Sequence, residues 1–171
     1  MIRALFARLT GGPKRGQALF DLAVAEAQRA HWFVEGEVPD TVNGRFAVLA
    51  TMVALITVRL EKEGEEGARA TVALTERMVE TLDAELREMG LGDPTLGKQV
   101  RGLVGAVAGR VERWRALASS DSDWTVEVKR SLYLDEEPSA DAVRHSESAL
   151  QSLWQRLAAT GLGDLSEGRM S

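Results

Sequence analysis

The sequence predicts an all-α fold: a single-domain helical bundle of about five to six helices around a buried central helix. Three observations carry this. Residues 46–58, FAVLATMVALITV, are apolar nearly all round and are closed by Arg45 and Arg59, the pattern of a helix surrounded by others. Elsewhere apolar residues recur at helical spacing between capping and turn residues. No convincing period-2 run bounded by turn signals marks a half-buried strand. The 171 residues match one domain at ~100–200 residues per domain.

Taken in order, residues 1–15 form a basic amphipathic segment. Ile2, Leu5, Phe6 and Leu9 share one helical face, and Arg3, Arg8, Lys14 and Arg15 give the segment +4, leaving −9 elsewhere (17 basic minus 26 acidic). This is the pattern of a membrane-surface anchor; the alternative is an arm docked on the domain through Phe6 and Leu9. Residues 16–160 form the helical domain. Its first helix covers 17–33, with Leu19, Leu22, Ala23 and Ala27 inward. VEGEVPD is a loop, because Pro39 disfavours helix at Val38, and Asp40 or Thr41 caps the central helix, which runs to about Lys62. GEEG at 64–67 is the turn. The next helix covers 68–89, with Val72, Val79, Leu82, Leu86 and Met89 in phase, and Gly90 at its left-handed end. Asp93 caps a helix over 93–118, with Pro94 in its first position and Leu96, Val100, Leu103, Val107, Val111 and Trp114 inward. Gly97, Gly102, Gly105 and Gly109 each cost that helix up to ~1 kcal/mol relative to Ala, so close approach of another backbone along their face is expected. SSDSD is a polar break. Residues 124–134 alternate partly but lack a partner strand and read as helix. Ser139 caps a last helix to about 160, with Val143, Leu150, Leu153, Trp154 and Leu157 inward. Residues 161–171 read as a disordered tail.

Composition excludes several functions. Lys and Arg total 21 against 26 Asp and Glu, a net charge of −5, which argues against a nucleic-acid partner. Without cysteine there are no disulfides, thiolate chemistry or Cys-ligated metal sites. His31 and His145 are too few, and too far apart in sequence, to make a metal site alone, so no metal or cofactor is expected. The 13-residue apolar run spans roughly 20 Å as a helix, short of a ~30 Å hydrocarbon core.

Candidate sites weigh against bland readings. Gly92 to Gln99 nearly matches a phosphate-binding loop, but Gln99 replaces the Mg²⁺-binding hydroxyl, the segment follows a helix, and Pro94 removes an amide. A capped helix–helix turn explains it better. Asp83 with Glu85, and Asp135 with Glu136 and Glu137, are adjacent acids of the kind that usually sit solvated. Ser131, Ser146 and Ser152 have no recognisable base partner. Residues 83–93 with Lys98 and Arg101 are charge-dense, and Asp83 can pair with Arg87 at i,i+4. The segment reads either as surface ion pairing or as a polar cluster joined to the 40–45 start of the central helix.

Two segments resemble the signature of the ubiquinol–cytochrome c chaperone family: Pro39-Asp-Thr-Val-Asn-Gly-Arg-Phe46, leading to Val58-Arg59-Leu60, and Leu82-Asp-Ala-Glu-Leu-Arg-Glu-Met-Gly-Leu-Gly-Asp93, followed by Gly97-Lys98 and Gly109-Arg110. The similarity covers a core of residues 17–118 and departs at Ala108, where the family often has an aromatic. The resemblance implies a non-enzymatic, α-helical assembly chaperone for the cytochrome b-containing ubiquinol–cytochrome c reductase, respiratory complex III. Its protein client would be cytochrome b or another component of that complex. It implies a bacterial protein of the cytoplasm, peripheral on the inner face of the cytoplasmic membrane through residues 1–15. By the family's motif the partner-binding residues would be Asp40, Thr41, Gly44, Arg45, Arg87, Glu88, Gly92, Asp93, Lys98 and Arg110. The alternatives are an all-α enzyme or ligand-binding protein with an internal cavity along the Gly-rich helix, or an interaction module for another respiratory-chain protein.

Overall fold

The apolar stretch lies inside α2 (Val42–Leu60), in which every residue from Ala50 to Leu60 is buried. The computed structural model describes residues 15–120 and 122–170, and among them there is no strand. Around α2 pack α1 (Gln17–Ala27), α3 (Gly64–Glu88), α4 (Asp93–Ala118), α5 (Thr125–Val128), which continues as a wider, π-helical turn over Lys129–Tyr133, α6 (Ala140–Ala159) and α7 (Leu162–Ser166). An 18-residue window in the continuous helical run from Val42 to Glu88 has mean hydropathy 1.4, enough by length and composition for a membrane span. Of that window 72% is buried inside the fold, which is how a core helix behaves. Residues 1–14, where most of the basic amphipathic segment falls, lie outside the described residues.

Caps set the helix ends. Thr41 accepts a hydrogen bond from the Gly44 amide at 3.1 Å, and Ser139 accepts one from Ala142 at 3.1 Å. Each satisfies an amide that the first helical turn leaves free. At the end of α3, Gly90 takes φ +87°. Its amide reaches Arg87 O at 2.9 Å and the Leu91 amide reaches Leu86 O at 3.2 Å, the paired closure that a left-handed glycine permits. Arg115, late in α4, chelates Glu61, just past α2, at 2.7 and 2.8 Å. Because α4 also packs extensively along α2, this contact between their C-terminal ends makes the two run parallel, with α3 returning the other way between short turns. The start of α4 therefore lies at the same end of the bundle as the start of α2.

The structure corrects several expectations. α1 stops at Ala27, and a 3-10 turn covers Ala30–Trp32. The Trp32 indole turns back and donates to Glu26 O at 2.8 Å, which satisfies an end carbonyl of α1 and buries the ring. Residues 64–67 are the first turn of α3 and not the connection; that lies at Glu61–Glu63, ended by Gly64 at φ +60°. The inward face of α3 is Leu74, Met78 and Leu82, whereas Val72 is 57% and Met89 65% exposed. Gly92, not Asp93, is the N-terminal cap of α4. The glycines of α4 meet no other backbone: a Cβ on Gly102 or Gly105 would find open space, and on Gly97 or Gly109 only an arginine tip. The tail carries α7, with Leu165 fully buried, because one leucine at the right register is enough to seat a short helix on α1.

Candidate functional site

The two family-like segments share the end of the bundle formed by the start of α2 and the α3–α4 turn. At the first, the chain leaves Pro39 extended, caps at Thr41 and enters α2. A Cβ on Gly44 would sit 1.9 Å from Pro39 O, so this glycine lets the incoming strand fold back on the first helical turn. Gly44 is buried and shapes the segment instead of facing outward. Arg45 Nε pairs with Asp40 Oδ1 at 2.6 Å, and both side chains are more than half exposed. The Arg45 guanidinium lies 5.0 Å from the centre of the Phe33 ring, within cation–π range.

At the second segment, Arg87 bridges the turn. It donates from Nε to Asp83 Oδ2 at 2.8 Å and pairs through Nη1 with Asp93 Oδ1 at 2.9 Å. The hydrogen bonds it donates to Asp83 and then Asp93 hold its guanidinium above the usual arginine range. Asp93 thus serves as an ion-pair partner across the turn. Glu88, Gly92 and Lys98 are exposed, and a Cβ on Gly92 would meet nothing. The ion pairs of Arg45 and of Arg87 each close within their own segment. The two segments therefore share one end of the molecule as separate salt-bridged corners.

Arg110 is placed elsewhere, and its assignment to a partner-binding surface is corrected. It is 6% exposed and donates to Ala106 O at 3.1 Å and Ser131 O at 2.8 Å. Burial, then neighbouring Arg113, lowers its pKa, with Glu127 opposing. Ser131, for which the sequence shows no recognisable base partner, donates to Glu127 Oε1 four residues earlier at 2.6 Å and accepts from the Trp114 indole at 3.2 Å. Arg113 clamps the same carboxylate at 2.8 and 2.9 Å. The cluster is buried or nearly so and ties α5 onto α4. A groove of about 480 Å³ runs along the outside of α3 over Thr71, Val72, Thr75, Glu76, Val79 and Glu80.

The two histidines meet, which nothing in the residue order signals. His31, in the 3-10 turn, and His145, on α6, lie 3.0 Å apart, Nδ1 to Nε2. Periodicity could place each on its helix but not bring together positions 114 residues apart. Among the described residues no group of three or more His, Cys, Asp or Glu side chains is arranged to hold a metal ion.

The profile of the ubiquinol–cytochrome C chaperone family matches residues 35–170, most of the chain and both corners. The chain belongs to the ubiquinol–cytochrome c chaperone family. Its fold is also similar to the crystal structure of the Cbp3 homolog from Brucella abortus, with a TM-score of 0.77 and 24% identity over 100% of this chain and 96% of that one. A search of curated protein sequences gives no significant match. Family membership makes this a helical protein of complex III assembly. It extends the resemblance beyond residue 118, across α5, α6 and the short α7, which the signature segments alone do not reach.

Proposed function

We propose that this chaperone binds a newly made subunit of complex III, cytochrome b in the first instance, through the end of the bundle that carries both salt-bridged corners. The observation that carries the reading is that the exposed charges of the two family segments, Asp40 with Arg45 and Arg87 with Asp93, stand at one end of an otherwise packed bundle. Surface ion pairs contribute little to folding, so such charges are free to exchange partners. Arg45, Arg87 and Lys98 then grip carboxylates or helix-end carbonyls of the client, with guanidinium groups supplying paired donors. Thr41 and Gly44 hold the first corner in shape. The basic residues 1–15 supply the membrane address by attraction to an anionic leaflet, which puts the protein beside the bilayer where its client is inserted. No chemistry on a substrate is required for this.

The test is genetic and then biochemical. Deleting the gene in its native host should lower cytochrome b and assembled complex III, and the double variant Arg87→Glu, Lys98→Glu should fail to restore them although it accumulates normally. Normal complex III in the deletion strain would refute the reading. For the membrane address, removal of residues 1–12 should abolish co-sedimentation with anionic liposomes; unchanged co-sedimentation would remove that part.

A further inference from the structure

The loop over residues 28–38 leaves α1 and delivers the chain to Pro39 and the Thr41 cap of α2. Three contacts staple it to the neighbouring helices. The Tyr133 hydroxyl lies 2.6 Å from Gly36 O, 3.1 Å from Ala142 O and 2.8 Å from Ser146 Oγ. The Glu37 carboxylate accepts from the amide and hydroxyl of Ser139 at 2.9 and 3.0 Å. The third contact joins the only two histidines of the chain, with ring centres 5.2 Å apart in an edge-on arrangement. Within the loop, Gly36 and Val38 donate back to His31 O and Trp32 O at 2.8 and 3.0 Å.

Imidazole contacts differ from the other two because they titrate near neutrality. An N–H···N bond needs one protonated and one bare nitrogen at the contact. With both rings protonated, two N–H groups face each other and two positive charges adjoin. The surroundings do not relieve this. Arg29 adds positive charge beside His31. Glu26 is already taken by Arg156 and Arg29, and Glu35, though attractive, is exposed. On α6, Arg144 pairs with Asp141, and Glu147 is occupied by Trp124 N and Thr125. The His31 ring also rests 4.4 Å from that of buried Trp32. Burial first, then Arg29 and His145, hold His31 below the ordinary histidine value.

We infer that His31 and His145 form a proton-operated clasp that holds the 28–38 loop, and with it the approach to α2, against α6 while at least one ring is neutral and releases it when both are charged. The sign follows from linkage. The open state binds the second proton more readily than the closed one, so closure is complete above the ordinary histidine value near 6.5 and weakens as pH falls below it. The clasp does not depend on which client the chaperone holds.

With two histidines in the chain, their imidazole titration curves can be resolved by NMR and assigned with one variant. His31 should titrate below a histidine in a short peptide, and His145→Gln should move its midpoint upward. Hydrogen exchange supplies the structural readout. After correction for intrinsic rates, the Gly36 and Val38 amides should open several-fold more often at pH 5.5 than at 7.5, bounded by about tenfold per pH unit for a single proton. In His145→Gln, whose amide can hydrogen-bond but not charge, this pH dependence should vanish. A His31 midpoint at or above the peptide value, or equal pH dependence in the variant, would overturn the inference. Should the variant fail to fold, the wild-type His31 midpoint alone decides.

Discussion

Inside the bundle, two buried arginines, Arg59 and Arg110, act as backbone clamps, Arg59 pairing also with Glu63. Arg59 donates to Leu157 O and Thr160 O at 2.9 Å each, and Arg110 does the same for Ser131; both are less than a tenth exposed. At the opposite extreme, Arg45 and Arg87 keep more than half of their side-chain surface in water and meet carboxylates. The helices that carry them differ in the same way. α2 is buried on nearly every side. Among the described residues between Leu82 and Val107, by contrast, Leu96 is buried and the others are half-buried or exposed. A guanidinium that fastens a fold is desolvated and held by carbonyls that few other donors reach, because an unmet buried donor or acceptor is costly; Arg110 bears part of that cost, since its buried Nε has no partner. One that receives a partner must stay wet and replaceable.

The comparison can be broken at either side. The largest effect belongs to the interior: Leu55→Ala, at a position with no solvent exposure, should lower stability by about 2–5 kcal/mol, measured by denaturant unfolding. Arg59→Met leaves two carbonyls without their donor and should cost about 2–4 kcal/mol; loss of less than ~1 kcal/mol would mean that this arginine belongs with the exposed class. Thr41→Ala removes one cap bond and should cost about 1 kcal/mol. Gly44→Ala, which drives a methyl into Pro39 O, should cost more than Thr41→Ala and shift the amide resonances of residues 39–45. Arg87→Ala should leave the unfolding midpoint where it is, while capture of detergent-solubilised cytochrome b falls severalfold. An unfolding midpoint that drops with it would return Arg87 to the structural class.

Much of this was legible in residue order. The all-round apolar α2, the Ser139 cap and the left-handed Gly90 follow from short-range rules, and the structure has all of them; of Asp40 and Thr41, which the same rules leave open as the cap of α2, it selects Thr41. Residue order falls short where the deciding interaction is long-range. Arg110 looks like any charged residue until α5 folds over it. Val72 fits a helical stripe as well as Leu74 does, and only the packing of α1 against α3 selects Leu74. The four glycines of α4 point by residue order to a close helix contact, yet the tight approaches occur at Gly16, Gly36, Gly44 and Gly67, where turns and crossings press on them. Family-like charges were found at Arg45 and Arg87, but their arrangement as two separate corners depends on ion pairs that spacing does not specify.

The sparse packing of the paired helices beyond Leu82 has a mechanical consequence. Their backbone hydrogen bonds are supported mainly along one side, so this hairpin should fray from its tip before the rest of the molecule loosens. Limited trypsin should cut first after Arg87 or Lys98, and the two pieces should still elute together, because the segments on either side remain locked into the same apolar centre. A hairpin tip that can melt and re-form without endangering the rest gives a chaperone a compliant edge on a rigid centre.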